Sequence, residues 1–443
     1  MDFLETRFQL KENGTTVRTE LAAGLTTFLT MGYILFVQPQ VLSAAGMDPG
    51  AVFTATCLSS ALGCALMGLL ANYPIAQAPL MGENFFFTYA VVLGMGVPWQ
   101  RALGLVFVSG LVFLALTLTR IRETLVNSVP DALKHAIAAG IGLFVALIGL
   151  KEAGLVVANA PTLVKLGPLH AGPVLLALFG LALSAALFVR RVRGALLLGM
   201  LATSALGWAF GWLRYGGVFS APPSLAPTLF KLDLTGLLTR DGFSVVLIFL
   251  FMTLFDTLGT LVGVGVQAGL MKDGKLPRAP KALLCDAVAT TTGALLGTST
   301  VSSYIESATG VAQGGRTGLT ALTVAALFLL ALFFAPLVGF VSGAVTLPGG
   351  LVLHPVTAPA LILVGALMLG MVRRIEWDDP SEGLPAFLTL VVIPFTFNIA
   401  DGVAAGFISY PALKAAAGKG KDVPPLLWGL AALFLLRYAF LAA

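Results

Sequence analysis

Charged side chains are scarce in this chain. Asp, Glu, Lys and Arg together make up 11% of its 443 residues, whereas a soluble globular domain carries roughly 25%. Apolar residues make up 58%, and the mean hydropathy is +0.95. Apolar segments of about 20 residues, the length that crosses a bilayer, recur along nearly the whole chain. This composition excludes a soluble globular protein and predicts an all-α polytopic membrane protein.

Cysteine is also rare, and catalytic motifs are missing. Cys57, Cys64 and Cys285 lie in apolar segments and are odd in number, which is typical of small buried side chains rather than disulfides or metal ligands. The sequence contains no HExxH, GxSxG, P-loop or CxxC motif. We therefore expect no metal, no cofactor and no enzymatic activity, and ATP-driven transport has no support.

The basic residues indicate how the chain is oriented. They account for a net charge of +5 and fall in short connections, so we expect no nucleic-acid partner. Clusters in alternate connections include Arg120–Arg122, Arg190–Arg193, Lys272–Lys275, Arg373–Arg374 and Lys414–Lys421. By the positive-inside rule, both termini are expected to be cytoplasmic in a multi-pass protein of the cell (inner) membrane. No cleavable signal peptide is visible, so the first span is expected to act as the insertion signal.

Fourteen apolar segments predict transmembrane spans. We expect them near residues 20–43, 51–71, 78–94, 101–119, 134–150, 171–189, 194–213, 243–268, 282–297, 300–315, 318–343, 357–372, 384–399 and 401–417. The third and tenth contain polar halves rich in Gly, Ser and Thr. Irregular backbone at membrane depth requires protein or a watery cavity to satisfy it, so we expect both spans to be part extended and part helical.

A last apolar stretch, residues 424–441, begins with Pro-Pro and contains Arg437. It could form a fifteenth span. Its short length and internal Arg favour a helix that lies at the cytoplasmic interface of the membrane.

The two halves of the chain repeat at an offset of 227 to 230 residues. Thr30 matches Thr257, and Cys57 falls opposite Cys285. Seven spans per half is an odd number, so the second copy has to enter the membrane from the opposite side. Inverted repeats with broken helices that meet at the midplane are a recurrent plan of transporters.

Three carboxylates lie in stretches without Lys or Arg. Glu83 and Glu306 belong to the two broken spans, and Asp256 lies in the middle of the eighth span. Ionisable side chains at membrane depth usually face a cavity and mark a substrate or ion path. Ionised carboxylates only accept hydrogen bonds. They would suit a neutral heterocycle with N–H donors and a planar face for Phe85, but not a phosphate or sulfate.

Each carboxylate also has a structural interpretation. Asp256 and Glu306 could be held by backbone donors, although a site role is favoured for both. Glu83 could equally cap a half-helix. Asp286 follows Lys281 near the end of its span, which favours a structural polar contact.

Four motifs together resemble a known family. They are Gly24–Ile34, Phe255–Gly263, Gly297–Ser307 and Gly314–Gly318. They look like the azaguanine-type purine permeases, a branch of the nucleobase–cation symporters related to uracil and xanthine permeases. The resemblance implies two inverted repeats of seven spans. It also implies a core domain (20–119 and 243–343) and a gate domain (134–213 and 357–417).

The resemblance also implies site residues. Asp256 and Glu306 match the two base-binding carboxylates of the uracil permease pattern, and Thr260 takes the place of its histidine. The substrate-binding candidates are Thr30, Glu83, Asn84, Phe85, Asp256, Thr260, Ile305, Glu306 and Ser307. Glu83, Asp256 and Glu306 are also the candidates for proton coupling.

The leading interpretation is a secondary active transporter that imports guanine, hypoxanthine or adenine with protons by alternating access. Its partners would be a purine nucleobase, protons and the lipid bilayer, and a homodimer stays open. The alternatives are a uracil- or xanthine-preferring permease, a sulfate-permease-type anion carrier, and a channel or membrane receptor. The absence of Arg and Lys from the broken spans disfavours the anion carrier.

Overall fold

The computed structural model describes residues 2–119, 129–237, 239–271, 276–348 and 350–441. Seven helical stretches within these ranges are long and apolar enough to cross a membrane, and three shorter apolar helices accompany them. The chain is therefore a mostly helical, multi-pass membrane protein. The basic residues of 120–128 and 272–275, and the side chain of Arg437, lie outside the described part.

The first half contains nine helices and three strands among its described residues. In chain order these are α1 (Asp2–Phe8), α2 (Val17–Met31), α3 (Ile34–Ala44), α4 (Pro49–Leu66, continued by a π-helical turn Met67–Ala71), β1 (Gln77–Pro79), α5 (Met81–Phe85, continued by a π-helix Phe86–Gly94), α6 (Trp99–Leu118), α7 (Asp131–Glu152), β2 (Val156–Asn159), β3 (Leu163–Leu166), α8 (Gly172–Val189) and α9 (Ala195–Ala209).

The second half follows a similar order up to its last helix. It contains α10 (Arg240–Gln267), α11 (Ala279–Leu296), β4 (Val301–Ser303), α12 (Ser307–Ala312), α13 (Gly318–Ala331, continued by a 3-10 turn Leu332–Phe334), α14 (Ala335–Val341), β5 (Val345–Thr346), β6 (Val352–Leu353), α15 (Ala358–Leu369, continued by a 3-10 helix Gly370–Arg374), α16 (Pro380–Thr396), α17 (Ile399–Ala416), a 3-10 turn (Gly420–Asp422) and α18 (Pro425–Leu441).

Polar side chains begin several of these apolar helices. The Thr16 and Asp48 side chains accept hydrogen bonds from the first turns of α2 and α4, and Thr239, Thr317 and Asn398 do the same for α10, α13 and α17. The first N–H groups of a helix have no partner within the helix, so a side-chain acceptor there is stabilising. These caps mark where each apolar segment turns helical.

The predicted breaks in the third and tenth spans are confirmed. Each span begins with a strand of three residues, and the two strands, β1 and β4, pair antiparallel with Ala78 opposite Ser302. Every residue of both strands is buried. Because each strand satisfies the backbone groups of the other, an extended segment is tolerated among the apolar helices.

The helices pack in two groups. In the first, which we call the core group, α2, α4 and α6 contact α11 and α13, and the β1–β4 pair lies between them. The core group also includes α3, which packs on α4 and α5, α10, which packs on α6 and α5, and α12, which packs on α2. In the second, the gate group, α7 packs against α15 and α16, α8 against α9 and α15, and α16 against α17. Far fewer contacts join the groups, and those that do include α5 against α7.

The C-terminal helix α18 packs lengthwise along α17. Tyr438 near its end donates to Asp401 at the start of α17, with 2.5 Å between the oxygens. The rings of Phe434 and Phe407 lie 6.0 Å apart in the middle of the pair. The two helices are thus antiparallel neighbours.

Candidate functional site

The site is built around the crossing of the two broken spans. Beyond the strand pairing, the Leu80 amide donates to the Thr300 carbonyl and the Tyr304 amide to the Ala76 carbonyl, each at 2.9 Å. The Tyr304 hydroxyl donates to the Pro79 carbonyl at 2.6 Å. These bonds fix the two points at which helix starts again, Met81 in the first half and Ser307 in the second.

Asp286 on α11 holds the two strands of the crossing together. Its buried carboxylate accepts from the Ser302 hydroxyl at 2.6 Å, from the Ser303 hydroxyl at 3.0 Å and from the Ser303 amide at 3.3 Å, and also from the side-chain amide of Gln77. It therefore bonds to both strands. The structural interpretation of Asp286 is confirmed.

Glu306 directly precedes α12 and is half-buried. Its Oε1 accepts from the hydroxyl of Tyr33 at 2.6 Å. Tyr33 lies in the break between α2 and α3, where helical hydrogen bonding is interrupted. The adjacent Thr309 hydroxyl lies 3.2 Å from that of Thr30, so α2 supports both ends of this turn. Thr30 is half-buried and meets α12 through this contact.

Asp256 lies on an open face of α10. Its side chain is exposed, as are Gly259 and Gly263 on the following turns. A Cβ atom built at Gly259 would meet no atom within 4 Å, and one at Gly263 would meet only the end of Ile305 at 3.6 Å. Ile305 is itself 52% exposed. The two glycines therefore leave room along α10 beside the turn that carries Glu306.

Glu83 and Asn84 are buried on the first turn of α5. Glu83 is 3% exposed, and its Oε1 finds no hydrogen-bond partner among the described residues. The Nδ2 of Asn84 is likewise unpaired there, while its Oδ1 accepts from Ser299. A buried polar atom without a partner is energetically unfavourable and calls for an explanation. A bound ligand or a proton would supply one.

The three carboxyl groups form one electrostatic cluster. Asp256 lies within electrostatic range of Glu306, of Glu83 and of the strand-bound Asp286, and the buried Tyr304 lies within range of the first three carboxyl groups. No Lys or Arg forms an ion pair with any of them in the described part of the chain. The cluster offers hydrogen-bond acceptors and no positive charge.

The side chains of the remaining candidates are buried and mainly contact other parts of the protein. Phe85 is fully buried, with its ring stacked on Tyr89 at 5.8 Å and edge-on to Phe144 at 6.4 Å. The Ser307 hydroxyl accepts from the Ala76 amide at 3.0 Å, which makes it part of the crossing. Thr260 is buried one turn after Asp256.

Sequence reasoning did not predict the hydrogen bond from Tyr33 to Glu306, because an aromatic residue on an apolar helix usually serves packing or, at most, stacks on a ring. The signal was its position directly after Gly32, in a segment that repeats around Asp256.

This combination of features defines a class of protein. A multi-pass helical protein in which two broken spans gather uncompensated carboxylates is a membrane transporter. The chain belongs to the Permease family, which matches residues 18–404.

Relatives match almost the full length. The chain is 48% identical to the guanine/hypoxanthine permease PbuG of Bacillus subtilis over 99% of this chain and 100% of that protein. It is 45% identical to the adenine permease AdeP of Escherichia coli over 99% of this chain and 97% of that protein. Among solved structures, the transmembrane domain of the cyanobacterial bicarbonate transporter BicA is similar in fold, with a TM-score of 0.64 at 15% identity over 88% of this chain and 96% of that domain.

Proposed function

We propose that this protein is a secondary active transporter that imports the purine nucleobases guanine, hypoxanthine or adenine together with protons. The carrying observation is the cation-free cluster of Glu83, Asp256 and Glu306 at the crossing of the broken spans. Relatives of nearly half-identical sequence are named as adenine and guanine/hypoxanthine permeases, which supports purines over other nucleobases.

The chemistry of the cluster suits a neutral base. Purines present N–H donors on their ring edges, and ionised carboxylates accept without donating. Asp256 and Glu306 would accept those bonds, with Tyr33 holding the Glu306 carboxylate in place. An anion such as sulfate or bicarbonate would meet repulsion instead. The fold shared with the bicarbonate transporter therefore does not carry over its substrate.

Stacking on Phe85 would need a local rearrangement. Its ring already contacts Tyr89 and Phe144, so a base can stack on Phe85 only after one of these contacts opens. Phe144 belongs to α7 in the gate group, and movement of that group would separate the Phe144 ring from Phe85.

We further propose fourteen spans arranged as two inverted repeats and followed by α18 as a fifteenth span, with the core and gate groups as the two domains. The recurrent order of elements in the two halves and the helix packing support this division. Alternating access would then be a movement of one group past the other, with the carboxylates carried by the core group. We also propose that the N-terminus is cytoplasmic. A second copy of the chain, in a homodimer, is a further proposed partner.

The test is uptake of radiolabelled guanine, hypoxanthine, adenine, xanthine and uracil into cells that lack their own permeases. We expect saturable purine uptake, with little uptake of uracil. A preference for uracil or xanthine would move the protein to another branch of the family. Uptake of every base without saturation would indicate a channel.

A further inference from the structure

Glu152, at the C-terminal end of α7, links the gate group to the core group. Its Oε2 accepts from the Nε2 of Gln40 on α3 at 2.6 Å, and its Oε1 accepts from the hydroxyl of Tyr89 at 3.2 Å. Both donors belong to the core group. One carboxylate of the gate group therefore holds two separate elements of the core group.

Both partners lie on elements that carry the site. Gln40 follows Tyr33 by two helical turns on α3, and Tyr89 follows Phe85 by one turn with its ring stacked on it. Two turns before Glu152, Phe144 contacts the edge of Phe85. The helix α7 thus meets the site-bearing segment at two points, one apolar and one polar.

The surroundings of Glu152 direct its carboxylate across the boundary. The His354 amide donates to the Glu152 carbonyl at 3.0 Å and anchors the end of α7 to the gate side. The imidazole of His354 and the Lys151 ammonium are within electrostatic range, but neither forms an ion pair with Glu152 among the described residues. A cavity of about 370 Å³, lined in part by Gln40, Phe53 and His354, gives this region space to rearrange.

We propose that Glu152 is an inter-domain latch, whose bonds to Gln40 and Tyr89 hold the conformation seen here and release when the two groups move. It is a positioning residue, since it lies outside the carboxylate cluster and acts through Tyr89 and α3. The inference rests on the alternating-access part of the proposed function and not on the identity of the substrate.

Ile148 provides a reporter for release of the latch. It is fully buried and lies one turn before Glu152, between that residue and Phe144. The native cysteines are also buried, so they contribute a slow background. We would introduce Ile148→Cys into the purified full-length protein and measure its rate of labelling by a hydrophilic maleimide, together with the midpoint of thermal denaturation.

Two substitutions weaken the latch, and one serves as the matched control. Tyr89→Phe removes one hydroxyl but keeps the ring on Phe85, and Glu152→Ala removes both bonds. Tyr410→Phe removes a hydroxyl that donates to Glu382 at 2.8 Å within the gate group. Loss of one charge-assisted bond is typically worth a tenfold change in an equilibrium or more. We therefore expect labelling about tenfold faster in Tyr89→Phe, which loses one bond, faster still in Glu152→Ala, which loses two, and unchanged in Tyr410→Phe.

The outcomes separate a latch from a purely structural contact. Unchanged labelling in both latch variants would overturn the proposal, as would an equal increase in the Tyr410→Phe control. If Glu152→Ala fails to fold, Tyr89→Phe carries the test alone. Labelling needs no substrate, so a failure of purine uptake in cells would refute the proposed function while leaving this measurement interpretable.

Discussion

At the scale of single residues, Tyr33 and Asp256 set the character of the site. Tyr33 gives Glu306 a neutral donor in place of a cation, which holds the carboxylate in position without cancelling its charge. Asp256 has an open face beside it because Gly259 and Gly263 carry no side chains. Glu306 is therefore a hydrogen-bond acceptor held in a fixed position, and Asp256 is an acceptor with free space beside it.

The two carboxylates are expected to carry base binding. Glu306→Gln and Asp256→Asn should each weaken purine affinity by several-fold to a hundredfold, because a lost charge-assisted hydrogen bond is worth about 1.5–3 kcal/mol. Isothermal titration of the purified variants measures this. Asp233→Asn, which changes a half-buried carboxylate that pairs with Arg101 in a connection outside the cluster, is the control and should bind as the unsubstituted protein does. Normal affinity in either site variant would remove that residue from the site.

Glu83 is expected to tune the choice of base. With one carboxylate oxygen unpaired and Asp256 within electrostatic range, it offers a third acceptor that would favour a base with an extra donor edge, such as guanine with its exocyclic amine. Glu83→Leu should shift the preference among guanine, hypoxanthine and adenine without abolishing uptake, and Glu83→Gln should shift it less. If competition assays show the same order of preference in both variants, Glu83 is a structural cap.

At the scale of elements, the short β1–β4 pair determines where the site lies. It replaces helix at the point where the two half-chains meet, and Asp286 ties both strands to α11. Small hydroxyl side chains at Ser302 and Ser303 let the strands approach this carboxylate. The extended segments of the broken spans are therefore stabilised by tertiary hydrogen bonds and are not two locally weak helices.

Asp286→Asn is expected to reduce stability more than affinity. The amide can accept fewer of the donors from Ser302, Ser303 and Gln77, and each lost bond to a charged group is worth about 1.5–3 kcal/mol. We expect a lower midpoint of thermal denaturation in detergent. Asp256→Asn is the matched comparison, because Asp256 is exposed and should leave the midpoint almost unchanged. Equal midpoints in the two variants would refute the bracing role.

The last helix gives a second prediction at this scale. Because α18 runs antiparallel to α17 over most of its length, we expect it to cross the membrane and to place the end of the chain outside the cell. In intact cells, an impermeant maleimide should label Ala439→Cys but should not label Lys421→Cys. Labelling of Ala439→Cys only after permeabilisation would instead support a helix at the cytoplasmic interface and a cytoplasmic C-terminus.

At the scale of the whole molecule, the two helix groups meet through few contacts while each is well packed within itself. Domains joined by a limited interface are expected to move relative to each other. The carboxylate cluster lies in the core group, and Phe144 and Glu152 approach it from the gate group. A movement between the groups would therefore change access to the site without taking apart the strand crossing.

Transport is expected to depend on protons. Three carboxyl groups near one another and without a cation can take up and release a proton as the site changes its exposure. Purine uptake should rise with an inward proton gradient and collapse on addition of a protonophore. Replacing sodium with choline at constant pH is the control and should change nothing. Sodium-dependent uptake that ignores the proton gradient would identify a different driving ion.

The sequence by itself determined the membrane class and the two breaks. These follow from local properties: long apolar runs define spans, and Gly, Ser and Thr within them interrupt helix. It also singled out Glu83, Asp256 and Glu306, since a carboxylate in an apolar run stands out without knowledge of its neighbours.

Only the tertiary structure decided what those residues meet. Tyr33 and Glu306 are 273 residues apart in the chain, Asp286 is bonded by the two strands β1 and β4, and the partners of Glu152 come from two other helices. The contact of Phe85 with Phe144 and the lengthwise packing of α18 on α17 also depend on how separate helices pack together. The physical reason is that hydrophobicity places a segment in the membrane, whereas hydrogen-bond partners and ring contacts depend on how distant segments pack together.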